Sequence, residues 1–439
     1  MDPGNGVVLF PQTPGNGFWY NFVLKLNTNG DFQWVKEHNT GGSNTRVMDV
    51  DTQGNIYSAA EYVGVLDLGA PNNVTFTNSS RSLYIAKYSP SGQLVWANDF
   101  AGSTPASDNR RVSSIVVKND KLHISGRYTG NLDLNPGADV DTLSAVAEDM
   151  SFIVQLDTAG TYVFAKRLIG SGNFIQDLAV DDTGNIYAVG DFYGTVDFDP
   201  NAGVLNLVAV GVANQHDVFI MKLNSTGTLS WAKRVGADDF DRAYACTIDN
   251  NGKLLVTGIF SGDVDFDPGN GVAEQEGIAE YDCFLLRLDA NGNYETSHVW
   301  GGDMADYALG IFQDNDDNIL IHGVNGSTDM DYSGIERGGA AGVGYIMKIS
   351  AETFVSIEDF TNQSTMLVFP NPASNQLHIK DLTLGASITI TDISGRVVFS
   401  GTANNDLMTI STQDWSNGLY LIQTELNGAV QQQKLMVQR

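Results

Sequence analysis

The feature that most restricts the fold is a repeat. A glycine followed four residues later by an aromatic recurs as Gly30…Trp34, Gly92…Trp96, Gly160…Phe164 and Gly227…Trp231. A fifth copy, Gly292…Thr296, lacks the aromatic. Successive glycines lie 62, 68, 67 and 65 residues apart, a near-constant period that marks stacked units, each burying its apolar surface against the next. An alternating apolar run precedes every glycine, at residues 22–26, 84–88, 152–156, 219–223 and 284–288, and a sixth follows the last full unit at 345–349. A turn and a further strand come after it. They are clearest at Asp51-Thr52-Gln53-Gly54-Asn55-Ile56-Tyr57 and Asp182-Thr183-Gly184-Asn185-Ile186-Tyr187, and weaker at 250–254 and 316–319. Each unit then reaches Leu66-Asp67-Leu68, Leu132-Asp133-Leu134, or an Asp-x-Asp-Pro turn at 197–200 and 265–268.

Four short strands per unit, Gly/Asn turns and no helical period predict an all-β chain of β-propeller blades. These blocks resemble the SBBP-type propeller repeats of bacterial secreted proteins. The resemblance implies a β-propeller over residues 1–350, with five complete blade repeats plus partial ones. Asp2-Pro3-Gly4-Asn5-Gly6-Val7 matches Asp267-Pro268-Gly269-Asn270-Gly271-Val272 residue for residue, so Met1 falls in the middle of a unit. No basic start followed by an apolar core precedes it. The expectation is an N-terminally truncated repeat region, with a signal peptide and the rest of the first blade upstream.

The repeat fails after residue 350, and a polar linker is expected over 351–365, including Thr361-Asn362-Gln363-Ser364. Beyond it, short alternating segments such as Ile388-Thr389-Ile390-Thr391 and Leu419-Tyr420-Leu421-Ile422 suggest a small Ig-like β-sandwich over 366–439. Pro370-Asn371-Pro372, Asp392-Ile393-Ser394-Gly395-Arg396, Gly418-Leu419-Tyr420 and the terminal Lys434-Leu435-Met436-Val437 occur there in order. Together they resemble the C-terminal sorting domain (Por type) that Bacteroidetes append to type IX secretion cargo. That resemblance implies export through the periplasm, recognition by the outer-membrane translocon and a sortase, and a passenger released or attached to the cell surface.

Charge separates the two parts. The whole chain carries −28. Residues 361–439 hold four Lys/Arg and five Asp/Glu, leaving a net −27 on residues 1–360. Such a surface repels phosphate backbones, which argues against nucleic-acid binding. No apolar run reaches the 18 or so residues of a membrane-spanning helix. The two cysteines, Cys246 and Cys283, fall on the first and third strands of one predicted sheet. Those strands stand about 10 Å apart, too far for a disulfide, so both are expected as buried free thiols.

Candidate chemistry is sparse. Thr226-Gly227-Thr228-Leu229-Ser230-Trp231 resembles the tryptophan docking motif of quinoprotein propellers, where the tryptophan ties blades together, and structural packing is the expectation here too. The sialidase Asp-box places its aromatic three residues after the glycine, not four. The pairs Asp197/Asp199 and Asp265/Asp267 suit turn chemistry, with calcium as the alternative. The Asp314-Asn315-Asp316-Asp317-Asn318 run reads as a blade turn, lacking the glycine and terminal glutamate of an EF-hand. Histidines 38, 123, 216, 298, 322 and 378 occupy unrelated repeat positions, and no Gly-x-Ser-x-Gly elbow occurs. No catalytic, cofactor or metal residue is therefore assigned. The expected passenger is a binding or adhesion scaffold for a glycan, matrix or surface protein. The alternative is a secreted hydrolase or lyase with a loop-built site, which would require charged groups that break the repeat. The irregular inserts 62–82, 138–149 and 204–217 are where such groups are expected.

Overall fold

The computed structural model describes residues 21–38, 45–69, 74–100, 110–328, 342–349 and 367–438, except 138, 145–149, 171, 212–214, 279, 370–372, 381, 393–395, 406 and 427–428. The N-terminal Asp-Pro-Gly block, the 351–365 linker, Pro370-Asn371-Pro372 and Ile393-Ser394-Gly395 lie outside the described residues. The chain divides into two compact units, Met1–Ala351 and Glu352–Arg439. All regular elements among the described residues are strands, and no helix is long and apolar enough to cross a membrane.

In the first unit the strands form successive antiparallel meanders, numbered here as sheets. Sheet 1 holds Asn21–Leu26 and Phe32–His38. Sheet 2 holds Thr45–Val50, Ile56–Asp67, Thr75–Tyr88 and Leu94–Phe100. Sheet 3 holds Arg111–Lys118, Lys121–Tyr128, Met150–Asp157 and Tyr162–Arg167. Sheet 4 holds Asn173–Val180, Ile186–Phe192, Asp217–Leu223 and Leu229–Val235. Sheet 5 holds Arg242–Ile248, Leu254–Phe260, Asp282–Leu288 and Tyr294–Trp300, and sheet 6 holds Tyr307–Gln313, Ile319–Asn325 and Val343–Ile349. Small hairpins, such as Thr195–Asp197 with Asn206–Val208, join second to third strands. The sequence repeat is out of phase with the sheets. A unit counted from its glycine supplies the last strand of one sheet and the first three strands of the next. Five such units therefore give four complete four-stranded sheets among the described residues.

Alternation on the third strands explains the packing. Successive side chains point to opposite faces, so a strand buried on both sides serves two neighbours. Phe152 and Val154 join a core shared with sheet 2, while Ile153 joins one shared with sheet 4. Phe219 and Met221 face that same core, and Val218 and Ile220 face sheet 5. Each fully buried side chain of this size contributes roughly 1.5–3 kcal/mol. First strands of sheets 2 to 6 contact one another in succession.

The anchor motif fastens one sheet to the next. The Gly92 backbone has φ +78°, and a methyl there would lie 2.9 Å from the Trp34 ring. Trp96 covers Gly160 and Trp231 covers Gly292 in the same way. Each indole N–H donates to the carbonyl two residues ahead of the covered glycine: Trp34 to Pro90 at 3.1 Å, Trp96 to Thr158 and Trp231 to Ala290 at 3.2 Å. A third-strand lysine donates to the same oxygen in each case, from Lys25, Lys87 and Lys222. Position 227 of the quinoprotein-like motif is thus a packing surface, with Phe164 against it.

Cys246 and Cys283 sit on the first and third strands of sheet 5, separated by Leu254–Phe260, and both are buried free thiols as the spacing predicts. Burial pushes both well above the ordinary thiol range. The 62–82 insert differs from expectation. Outside 70–73, which lie beyond the described residues, Ile56–Asp67 and Thr75–Tyr88 prolong one hairpin through it.

In the second unit, Leu367–Phe369, Gln376–Lys380 and Leu407–Ser411 form one sheet, and Val397–Thr402, Ser387–Asp392, Gly418–Leu426 and Ala429–Val437 form another. Leu377, Ile379 and Ile410 from the first meet Ile388, Ile390, Ile422, Leu435 and Val437 from the second in one core. Two sheets around a single core are what the alternating segments predict.

Candidate functional site

A β-bulge interrupts every first strand of sheets 2 to 6, at the same point in the repeat. The extra residue is Ser113 in sheet 3, Gln176 in sheet 4, Tyr244 in sheet 5 and Leu309 in sheet 6. A bulge re-aims its neighbours. Opposite it, Gly126, Gly190, Gly258 and Gly323 let the strands close up, because a Cβ there would collide with the carbonyl oxygen of Arg111, Phe174, Arg242 or Tyr307. The residue two positions before the bulge and the one after the glycine are thereby brought to one end of the sheets.

The charges that break the repeat converge at that end. The pre-bulge position carries Arg111, Phe174, Arg242 and Tyr307, and the position after the glycine carries Arg127, Asp191, Ile259 and Val324. Arg111, Arg127, Phe174, Gln176, His216 and Arg242 line a cavity of about 490 Å³, within the usual range for small-ligand sites. Ser113 and Gln176 are shared with a second cavity of about 710 Å³ between the first strands, which His322 also lines.

Asp191 is the hub of the wall. It is fully buried and accepts both Nε and Nη2 of Arg242, at 2.8 and 3.2 Å. Gln176 Nε2 donates to it at 2.9 Å, and His216 Nδ1 lies 2.6 Å from its second oxygen. Burial alone would lower the Arg242 pKa, but the Asp191 carboxylate outweighs it and the net shift is upward. Aromatic rings fix the cations: Arg242 lies 4.8 Å from the Phe240 ring centre, and Arg127 lies 5.3 Å from that of Phe174. His216 stacks on Phe174 at 5.7 Å with ring planes 7° apart, and also meets Tyr193 and Phe240.

Of the irregular inserts, 204–217 reaches the cavity through His216. The other contributors lie on strands, where a search for motifs passes over them. Aligning Gly126-Arg127, Gly190-Asp191 and Gly258-Ile259 exposes them, since one column holds opposite charges. The Asp-x-Asp-Pro turns lie elsewhere. Asp197 Oδ1 accepts Asp199 N and Leu205 N, and Asp265 Oδ1 accepts Asp267 N and Ala273 N. Their carboxylates close the turns. Among the described residues no three His, Cys, Asp or Glu side chains are grouped to hold a metal ion.

Residues 367–438 match the secretion system C-terminal sorting domain family. The chain is a secreted or cell-surface protein, and this tail implies interaction with the type IX secretion machinery. The regulatory protein FlaEY of Caulobacter vibrioides is 23% identical over 180 residues, which are 40% of this chain and 18% of that protein. The match therefore spans less than a fifth of the relative. Among solved structures, the type IX surface component PorZ of Porphyromonas gingivalis aligns with 91% of this chain and 75% of its own, at 12% identity and a TM-score of 0.18. The extracellular domain assigned to a hybrid two component system of B. thetaiotaomicron aligns with 90% of this chain and 87% of its own, at 9% identity and the same TM-score. At that TM-score neither likeness bears on the fold.

Proposed function

We propose that residues 1–350 form a β-propeller of SBBP type, exported by a Bacteroidetes type IX system, whose passenger binds a ligand in the cavity at the ends of the first strands. Consecutive four-stranded meanders, first strands in sequential contact and the glycine–aromatic ties support the propeller. The Ig-like tail supplies the address read by the translocon and sortase on the way from the periplasm. The observation that carries the binding reading is the convergence of Arg111, Arg127 and Arg242 on one cavity, with Asp191 behind it, from repeat positions that carry Phe174, Tyr307, Ile259 and Val324 in other sheets. A structural position would keep its residue type from unit to unit; these do not. Screening the full chain against a glycan and surface-protein array tests it, with Ser113→Trp as the cavity-filling control. Binding that the control abolishes supports the reading, and a blank array or an indifferent control overturns it.

One observation favours the alternative of a hydrolase or lyase. A carboxylate that fixes one imidazole nitrogen, as Asp191 fixes His216, is an arrangement suited to general base catalysis. Product formation by the wild type that His216→Gln abolishes would select that reading over simple binding.

A further inference from the structure

Resting on the cavity being the ligand site, we propose that its ligand is an acidic saccharide, with a carboxylate or sulfate held by Arg111, Arg127 and Arg242 and a sugar face laid on the aromatic rim. Arg111 and Arg127 stand directly opposite one another in the register of sheet 3. Like charges so placed destabilise a sheet, and Arg242 adds a third guanidinium from sheet 5. Among the described residues no carboxylate lines the cavity. Carboxylates lie behind it: Asp191, paired with Arg242; Asp177, which accepts Ser114 Oγ at 2.7 Å; and Glu61, which accepts the N–H of Val112 at 3.1 Å. Three guanidinium side chains thus line one cavity in a region that otherwise carries −27. Arg111 Nε is buried without a hydrogen-bond partner among the described residues. Guanidinium forks match planar oxyanions, so the charges point to a carboxylate or sulfate.

The surroundings restrict the rest of the ligand. The acidic field of the repeat region repels polyanions, so the negative charge must be sparse on an otherwise neutral body. Phe240, Tyr281 and Tyr307 continue the run of rings from His216, with centres 5.0, 5.9 and 6.3 Å apart in turn. Such ring faces are electron-rich and accept the C–H face of a pyranose. Ser113 and Gln176 supply polar groups for hydroxyls.

Calorimetric titration of the full chain tests this with three probes: a glucuronate-terminated oligosaccharide, its carboxyl-reduced neutral analogue and a sulfated form of that analogue. The neutral sugar should bind about 10- to 100-fold more weakly than the acidic one, the size of a charged hydrogen-bond loss. Arg111→Gln should cost the acidic sugar the same factor, leave the neutral one unchanged and leave the melting temperature equal or higher, since it relieves the facing charges. Arg111→Lys should retain part of the affinity. The glucuronate and sulfate arms decide which oxyanion is preferred. Equal binding of the neutral sugar, or an Arg111→Gln protein that binds undiminished, overturns the proposal. So does binding of acidic peptides in place of the sugars. If all three sugars fail while the array yields a ligand lost in Ser113→Trp, the acidic-saccharide inference falls and the cavity reading stands. A blank array removes both.

Discussion

Sheets 3 and 4 are adjacent copies of one repeat, yet they fasten to their successors by different chemistry. In sheet 4, Trp231 covers Gly292 while its N–H and Lys222 share the Ala290 carbonyl. Lys222 also lies over the Tyr187 ring at 4.8 Å, and Tyr187 meets Trp231 edge-on. Sheet 2 repeats this set with Tyr57, Lys87 and Trp96. In sheet 3 all three members change together, to His123, Gln155 and Phe164. Gln155 Nε2 bonds His123 Nε2 at 2.9 Å inside the sheet instead of reaching the next one. Phe164 offers no N–H, and the tie to sheet 4 passes through Lys166 and Asn201 to the Gly227 carbonyl. The turn beneath differs as well. Asp181 caps sheet 4 near Tyr187 and Lys222, whereas Asn119 and Asp120 make a two-residue turn with φ of 52° and 56°. The tie is one interlocking unit, so changing one member shifts the role of the others.

The largest expected effect breaks the sheet 4 version. Trp231→Ala removes a half-buried indole, its N–H bond and the cover on Gly292, and should lower unfolding free energy by about 3–4 kcal/mol in denaturant titration. Phe164→Ala loses no such bond and should cost about 1 kcal/mol less. Equal losses would mean that the indole hydrogen bond adds nothing.

Acid should separate the two sheets next. Burial pushes the His123 pKa from about 6.5 down to about 4, so the folded protein holds it neutral, with Val116 O 3.4 Å from Nδ1. Below pH 6.5 the unfolded chain takes up a proton that the folded chain refuses. Stability is therefore full above pH 6.5 and falls as pH drops towards 4, by about 2–3 kcal/mol. His123→Phe should flatten that part of the stability–pH curve. An unchanged slope would assign the acid sensitivity to other groups. A smaller loss, about 1–2 kcal/mol, is expected from Gly292→Ala, whose added methyl meets Trp231 at 3.1 Å with φ at +77°; thermal unfolding measures it.

Much of this organisation is legible from residue order, for local reasons. The anchor glycines and the alternating third strands declare themselves because a left-handed turn and a doubly buried strand each tolerate few residue types. The strand assignment of Cys246 and Cys283 follows from the same phasing. The cavity was not legible in that way. Arg111, Arg127 and Arg242 are separated by up to 131 residues in the sequence, and only the bulge and its facing glycine bring them to one end of the sheets. Among the described residues of the inserts, His216 alone lines the cavity, because strand ends supply the rest of this wall; 145–149 and 212–214 lie outside the described residues. Length variation marks where a hairpin is prolonged, as at 62–82, and says nothing about where side chains meet.

The smallest effect is the most discriminating. If the tie is one interlocking unit, Phe164→Trp alone should gain little, because Gln155 and Lys166 remain set for the other arrangement. Lys166 Cε already lies 2.9 Å from where a Gly227 methyl would be, beside Phe164 at 3.0 Å. A larger ring must displace it and weaken the Lys166–Asn201 bond of 2.7 Å. Phe164→Trp with Gln155→Lys restores both donors to the Ser225 carbonyl, the position matching Ala290, at the expense of the buried His123 contact. Adding His123→Tyr completes the set. The triple variant should exceed the sum of its single changes by about 1 kcal/mol in a mutant cycle, the usual scale of coupling between touching groups. Strict additivity would show three independent substitutions that merely coincide in sheet 3, and the contrast with sheet 4 would lose its cause.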